Sequence, residues 1–190
     1  MLYCLAFLEG GTLMGTYVYL SPALKLHGYS YLLIGFVLAA FGVTCLPATR
    51  LMRPLLRRYS PLLLIWAGGA GIVSGWLLVT LEVNVWTVLT CAGLLGLAYG
   101  WLHSALQTWA TMAYPAARGT GVSGYAFSLF VGAGVSTQVL APLADQGGYR
   151  AMFLITAVAG ALLTVAAAYG YARHAAEAGR QVAPRSRAAG

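Results

Sequence analysis

Charged side chains are scarce in this sequence. Only 8% of its 190 residues are Asp, Glu, Lys or Arg, whereas 60% are hydrophobic, and soluble domains carry about a quarter charged residues. No segment shows a polar face regular enough to meet water. The scarcity of charge therefore excludes a water-soluble domain, and the apolar surplus is expected to face the lipid bilayer.

Acidic residues are rarer still, since the chain has 4 of them against 11 Lys and Arg, for a net charge of +7. The basic residues lie between apolar runs and near the end of the chain, without aromatic residues interleaved on one face, so nucleic acid is not an expected partner. No nucleotide-binding loop is present, which argues against ATP as the energy source. No cofactor is predicted.

Two other features are missing. The cysteines Cys4, Cys45 and Cys91 lie in separate apolar runs without metal-ligand spacing, so neither a disulfide framework nor a metal site is expected. Met1 leads directly into an apolar run, with no basic segment and no small-residue cleavage site, which argues against a cleaved signal peptide.

The sequence does contain six apolar runs of about 20 residues, the length that a helix needs to cross a bilayer. The predicted helices span residues 2–24, 31–48, 61–81, 85–112, 121–140 and 151–171. We therefore predict an all-α integral membrane bundle of six helices within residues 1–171. Residues 172–190, rich in Ala and Arg without apolar periodicity, are predicted to form a basic, disordered cytoplasmic tail.

Arginine alternates between the two sides of this bundle. The second and fourth loops and the tail carry most of the basic residues, whereas the first, third and fifth loops hold only Lys25 and Arg150. An excess of Lys and Arg marks the cytoplasmic side. The pattern predicts a multi-pass protein of the cell (inner or plasma) membrane with both termini in the cytoplasm.

A weak internal repeat relates the two halves of the bundle. The matching residues, at one constant offset, are Leu51, Arg53 and Arg58 with Leu143, Asp145 and Arg150. Because three helices separate the copies, they run in opposite senses through the bilayer, which predicts a 3+3 inverted repeat of the kind found in transporters.

Small residues recur at helical spacing in the predicted fourth and fifth helices. The two stripes are Gly96, Gly100, Ser104 and Thr108, and Gly124, Ser128, Gly132 and Ser136. Such stripes let membrane helices approach closely. We interpret them as static packing faces in preference to sliding ones.

Glu9 is the one acid well inside a predicted span, and such a group is costly, by about 2.5–3.5 kcal/mol on insertion scales, and usually functional. Tyr99, His103 and Gln107 form a polar stripe on the fourth helix. At 1.5 Å per residue, Glu9 and His103 both lie roughly 6–7 Å to the cytoplasmic side of their helix midpoints. We predict that they meet as a proton-coupling or substrate-cation pair. The alternative is that Glu9 draws water from the surface and His103 bonds a neighbouring helix.

Aromatic side chains such as Tyr17, Trp101 and Tyr125 are candidates to line a substrate cavity, although packing or an interfacial belt is the favoured explanation for each of them. The G-x-S-G segment at Ser123 raises an intramembrane serine protease as a rival function. A serine nucleophile needs a base within reach, and the nearest candidate, His174, lies beyond the last span. This rival is not favoured, and the chain is not predicted to be an enzyme.

Three segments carry a family resemblance. The segment from Arg118 to Phe127, followed by the one from Pro142 to Phe153, resembles the tenth-to-twelfth helix region of major facilitator transporters. Phe7-Leu-Glu9-Gly-Gly is similar to the seventh helix of drug and sugar efflux members. The resemblance implies the C-terminal six-helix half of such a transporter, with the first, second, fourth and fifth helices facing a cavity.

The resemblance also implies a loop signature that clamps neighbouring helices. Its residues here would be Arg53, Arg57, Arg58, Asp145, Gly148 and Arg150. The copy after the second helix departs from the family pattern at Thr49, Arg53 and Leu56, which predicts a weakened clamp.

The function implied is transport of a small molecule by alternating access, with proton-coupled efflux as the expected form. A second six-helix half, either another copy of this chain or a separate protein, is required, because the path of family members runs between two halves. The alternative is a non-transporting membrane protein, truncated or serving as an interaction partner.

Overall fold

The computed structural model of the protein describes the backbone of residues 1–113 and 117–187 and the side chains of residues 1–112 and 117–176. Every regular element within these ranges is helical. The predicted all-helical membrane bundle is therefore confirmed.

Five stretches of the described chain are helices long and apolar enough to cross a membrane: Tyr31–Arg58, Pro61–Leu81, Val85–Met112, Arg118–Asp145 and Tyr149–Ala176. They correspond to α3 (Tyr31–Arg58), α4 (Pro61–Leu81), α5 and α6, α7 (Arg118–Asp145) and α8 (Tyr149–Arg187). In the third stretch a π-helical turn, Tyr99–His103, joins α5 (Val85–Ala98) to α6 (Ser104–Ala113).

The first predicted span is helical but broken. It consists of α1 (Leu2–Gly10), a π-helical turn at Gly11–Gly15, a 3₁₀ turn at Tyr17–Tyr19 and α2 (Leu20–Leu26). The backbone stays in the right-handed helical region at the joints, with φ −61° and ψ −47° at Gly11 and φ −78° and ψ −25° at Thr16. At 1.5 Å per residue, residues 2–26 rise about 37 Å, enough for one crossing.

The helix starts follow local sequence. The Ser30 and Ser60 hydroxyls accept hydrogen bonds from the third residues of α3 and α4, and Asn84 forms a reciprocal capping box with Thr87 at the start of α5. Such caps satisfy backbone N–H groups that lack a partner within the helix. They fix the short connections between the spans.

Three predicted boundaries are corrected by the structure. α3 continues past residue 48 to Arg58 with Pro47 and Pro54 inside it, since membrane helices tolerate proline where neighbours satisfy the freed backbone. α7 is longer at both ends than the predicted 121–140. The arginine-rich second loop is thus the exposed end of a helix.

The predicted disordered tail is the third correction. α8 runs from Tyr149 to Arg187, so residues 172–187 are helical. Alanine, the strongest helix former, is frequent in this segment, and the prediction gave too much weight to its lack of apolar periodicity. Residues 188–190 lie outside the described part of the chain.

The spans pack in a symmetric set of pairs. α1 packs most extensively against α7, α3 against α5, and α4 against both α8 and α5. In a 3+3 repeat, the first span corresponds to the fourth and the second span to the fifth. The α1–α7 pair, which joins the first and fifth spans, therefore corresponds to the α5–α3 pair, which joins the fourth and second spans. This pairing agrees with the predicted 3+3 inverted repeat.

Glycines permit the two equivalent approaches. A Cβ at Gly10 would collide with the Leu129 carbonyl, and one at Gly132 with the Phe7 carbonyl, so α1 and α7 touch along their backbones. A Cβ at Gly96 or Gly100 would likewise collide with α3. Gly96, Gly100 and Gly132 of the two small-residue stripes therefore lie on packing faces inside the bundle.

A buried tryptophan fixes α1 against α4 and α8. Trp76 of α4 is fully buried, stacks on Phe153 of α8 with centroids 5.5 Å apart, and donates from Nε1 to the Thr12 carbonyl at 2.9 Å. Since Thr12 lies one turn after Glu9, this bond helps to set the position of the buried acid.

Candidate functional site

Glu9, near the end of α1, is completely buried. Its Oε1 lies 3.1 Å from Nδ1 of His103, and its Oε2 accepts a short hydrogen bond from the Tyr125 hydroxyl. Both carboxylate oxygens therefore have a partner from another span. The two side chains that the sequence placed at one depth in the bilayer do meet in the structure.

His103 closes a triangle with the other two groups. The Tyr125 hydroxyl lies 3.4 Å from His103 Nδ1, and the two rings are 5.6 Å apart between centroids. The His103 side chain is 11% exposed, whereas that of Glu9 is not exposed at all. The imidazole is thus the member of the cluster that solvent or substrate reaches first.

The triangle ends a row of aromatic rings that crosses the bundle. Tyr17 contacts Phe41 at 5.3 Å between centroids, Phe41 contacts Tyr99 at 5.7 Å, and Tyr99 stacks on His103 at 4.2 Å. We call the row from Tyr17 through Phe41, Tyr99 and His103 to Tyr125 the aromatic row. Its members come from the first, second, fourth and fifth spans.

The sequence identified four members of this row and missed Phe41, which no polar neighbour or motif singles out. Tyr125 was predicted only to line a cavity, yet it is a direct partner of Glu9. Tyr17 contributes its ring and donates its hydroxyl to the Leu38 carbonyl at 2.7 Å, which ties the broken first span to α3.

Two predicted residues stand apart from the cluster. Gln107 is exposed one turn further along α6, so the polar stripe of Tyr99, His103 and Gln107 leads from the buried acid to the surface. Trp101 is half-buried, and its Nε1 has no hydrogen-bond partner among the described residues. Neither residue forms a hydrogen bond with the Glu9 carboxylate, whose partners in the described chain are His103 and Tyr125.

A family comparison decides what kind of bundle this is. Residues 2–189, nearly the whole chain, match the model of the Major Facilitator Superfamily. The chain belongs to the major facilitator superfamily. Members of the superfamily are membrane transporters and not enzymes, so the general function is transport across a membrane. Comparisons with curated proteins and with solved structures gave no match.

The second copy of the predicted loop signature lies at the end of α7. Asp145 is the last residue of α7, Gly147 has a φ of +73°, and the Gly148 N–H donates to the Leu143 carbonyl at 2.7 Å. This is a Schellman cap, in which the residue with positive φ is normally glycine. Gly148 closes the cap, and Arg150 lies exposed in the first turn of α8.

The arginines of the first copy lie on the exposed last turns of α3. Arg53, Arg57 and Arg58 form no ion pair with an acid in the described chain, and the Arg58 guanidinium sits 5.9 Å from the Tyr59 ring centroid.

The protease alternative loses support within a superfamily of transporters. Ser123 is exposed in the second turn of α7, whereas the His174 ring packs 5.5 Å from the Trp109 ring. No hydrogen bond links Ser123 to a histidine in the part of the chain that the structure describes.

Chemically, the triangle can hold a proton between a carboxylate and an imidazole. If Glu9 is ionised and His103 is protonated, the buried pair is neutral. Loss of that proton leaves one uncompensated negative charge in an apolar bundle, which is costly unless another cation arrives. The Tyr125 hydroxyl donates to the carboxylate in either state and limits that cost.

Proposed function

We propose that this chain is one half of a secondary transporter in which Glu9 and His103 couple the movement of a small molecule to that of a proton. The observation that carries the proposal is the burial of Glu9 with both of its oxygens bound by His103 and Tyr125. A membrane protein retains an ionisable pair at such depth at a cost of several kcal/mol, usually for function.

Proton-coupled efflux of a small apolar or cationic compound fits this site best. When the proton leaves, the Glu9 carboxylate attracts a cation, and the aromatic row next to it offers ring faces on which an organic cation can lie. Proton and cation then compete for one negative charge. Such competition drives exchange, since binding of either one favours release of the other.

A second six-helix half is part of the proposal. The aromatic row belongs to the first, second, fourth and fifth spans, the four that by family resemblance face the cavity between two halves. Another copy of this chain or a separate protein would close that cavity, and alternating access would follow from rocking of the two bundles. The arginine distribution supports an inner or plasma membrane location with both termini in the cytoplasm.

The rival, a non-transporting interaction protein, has less support. Such a protein would bind its partner through small-residue faces, but Gly96, Gly100 and Gly132 of the two stripes pack against other helices of this chain. They are not free to bind a partner.

Everted membrane vesicles test the proposal. The chain is re-expressed in its own organism after deletion of its gene, so that any separate second half is present, and ethidium serves as the fluorescent cation. We expect ethidium uptake driven by an imposed pH gradient, its loss in Glu9→Gln, and its retention in Glu82→Gln. Glu82 is the matched control because it is exposed just after α4.

Two results would count against the proposal. One is uptake in Glu9→Gln that depends on the pH gradient as strongly as in the unmodified chain. The other is no difference between vesicles with and without the chain, which would favour the non-transporting alternative.

A further inference from the structure

The π-helical turn at Gly11–Gly15 begins two residues after Glu9. Its defining hydrogen bond runs from the Thr16 N–H to the Gly11 carbonyl, five residues back, at 3.1 Å. A π-helical turn holds one residue more than an α-helical turn. The part of the helix before it is therefore rotated by about 100° relative to an uninterrupted α-helix. The direction in which Glu9 points depends on this extra residue.

Three hydroxyl groups lie at this turn. The Gly11 carbonyl also accepts hydrogen bonds from Thr16 Oγ1 and from Ser136 Oγ of α7, both at 3.2 Å. Thr16 Oγ1 in turn lies 3.1 Å from Thr156 Oγ1 of α8. One carbonyl thus has three donors, and two other spans contribute to their arrangement.

Ser136 differs from the usual pattern in membrane helices, whereas Thr156 follows it with a bond to the Met152 carbonyl at 2.9 Å. Serine and threonine commonly bond back to the carbonyl of their own helix four residues earlier, as Ser128 does to Gly124 and Thr164 does to Gly160. Ser136 instead reaches across to another span. Its bond goes to the Gly11 carbonyl, which also accepts the five-residue hydrogen bond of the π-helical turn.

The surroundings of these bonds are mostly apolar. Gly11, Thr12, Thr16, Ser136 and Thr156 border a groove of about 200 Å³ between α1, α7 and α8. Its other walls are glycine and apolar side chains. In such surroundings a carbonyl that loses its hydroxyl partners has no water at hand to replace them.

We infer that Thr16, Ser136 and Thr156 are positioning residues that keep the π-helical turn open and thereby direct the Glu9 carboxylate at His103 and Tyr125. This assignment rests on the proposed function for its biological meaning, but its geometry can be tested separately. Without the hydroxyls the turn relaxes to an α-helix. Relaxation rotates Glu9 by about 100° and shifts it by about 1.5 Å along the axis, which separates the acid from its partners.

Selective isotope labelling gives a direct readout. Histidine occurs only at positions 27, 103 and 174 and glutamate only at 9, 82 and 177. We use ¹³C-glutamate and ¹⁵N-histidine with Glu177→Gln, so that the helical neighbours 174 and 177 give no signal. In a lipid bilayer, solid-state NMR then reports a ¹³C–¹⁵N dipolar coupling from Glu9 and His103.

The variants are Ser136→Ala combined with Thr156→Val, and the controls are Ser128→Ala combined with Thr164→Val. The two pairs remove the same chemical groups from α7 and α8, but only the first pair acts on the turn. The coupling decreases with the cube of the distance, so the first pair is expected to weaken it roughly tenfold, given the 100° rotation. The control pair and Thr156→Ser, which keeps the hydroxyl, are expected to leave it unchanged.

Retention of the coupling in Ser136→Ala/Thr156→Val would overturn the assignment. Misfolding is recognised by loss of helical circular dichroism or by equal loss of the coupling in the control pair. In that case, comparison of the coupling in Thr156→Val with that in Thr156→Ser supplies a milder test. The two proposals fail separately. If Ser136→Ala/Thr156→Val loses the coupling but Glu9→Gln does not affect ethidium uptake, only the transport role is refuted. If Glu9→Gln abolishes uptake but Ser136→Ala/Thr156→Val keeps the coupling, only the positioning role is refuted.

Discussion

The ring of Tyr99 lies almost parallel to the imidazole of His103, with centroids 4.2 Å apart and an angle of 11° between the planes. The two residues are the first and last of the π-helical turn between α5 and α6. The stack restricts rotation of the imidazole and keeps Nδ1 directed at Glu9. Tyr99 therefore acts on the buried acid through His103 and not by contact.

Two substitutions of Tyr99 distinguish the role of its ring from the role of its hydroxyl. Tyr99→Leu removes the stack, which is worth about 0.5–1.5 kcal/mol, and we expect the rate of pH-driven ethidium uptake to decrease roughly twofold to tenfold. Tyr99→Phe keeps the ring and should retain most of the rate. Equal rates in Tyr99→Leu and the unmodified chain would show that the stack does not orient His103.

The Tyr125 hydroxyl is expected to stabilise the fold as well as the site. Tyr125→Phe leaves one oxygen of a fully buried carboxylate without its donor, at a cost of about 1–3 kcal/mol. Thermal unfolding in detergent should show a lower Tm than for Tyr31→Phe, since Tyr31 is 70% exposed. An unchanged Tm in Tyr125→Phe would contradict the hydrogen bond to Glu9.

Two glycines of α7 offer a matched pair for the contact between α1 and α7. A Cβ at Gly132 would collide with the Phe7 backbone, whereas one at Gly134 would meet nothing within 4 Å. Gly132→Ala should lower stability by about 1–3 kcal/mol through overpacking. Gly134→Ala should be neutral or up to about 1 kcal/mol stabilising, because alanine favours a helix. Similar Tm values for both variants would refute the close approach of the helices.

Two tryptophans test the hydrogen bond that fixes α1. Trp76 donates to the Thr12 carbonyl, whereas the buried Nε1 of Trp101 has no partner within the described residues. Trp76→Phe should therefore cost about 0.5–1.5 kcal/mol more than Trp101→Phe, the net value of one hydrogen bond. Chemical denaturation of both variants in detergent measures the difference. A larger loss in Trp101→Phe would contradict this prediction.

Much of the fold could be predicted because lipid imposes simple rules. Apolar length located the spans, and the bounds of α4 match the predicted 61–81. The depth of Glu9 and His103 could be estimated by counting residues, since both lie on helices of regular rise. The predicted end of the second span at residue 48 was wrong, because the arginine-rich segment after it was assigned to a loop, whereas α3 continues through this segment to Arg58.

The rest of the site depends on relations that a sequence does not display. The π-helical turns have no propensity signal of their own, and in the first of them the Gly11 carbonyl accepts a hydrogen bond from Ser136 of a distant span. Phe41 joins the aromatic row only because α3 packs against α5. Tyr125 could be listed as an aromatic residue of the fifth span, but its bond to Glu9 follows from the close contact of α1 with α7.

Proton release on cation binding tests the central claim most directly. Isothermal titration calorimetry with tetraphenylphosphonium, on the chain in lipid nanodiscs with any second half that copurifies, is repeated in buffers that differ in ionisation enthalpy. We predict that the measured enthalpy of the unmodified protein changes with the buffer, because the cation displaces a proton from the Glu9–His103 pair, and that the enthalpy of Glu9→Gln does not. Equal proton release by the unmodified protein and by Glu9→Gln would contradict the account.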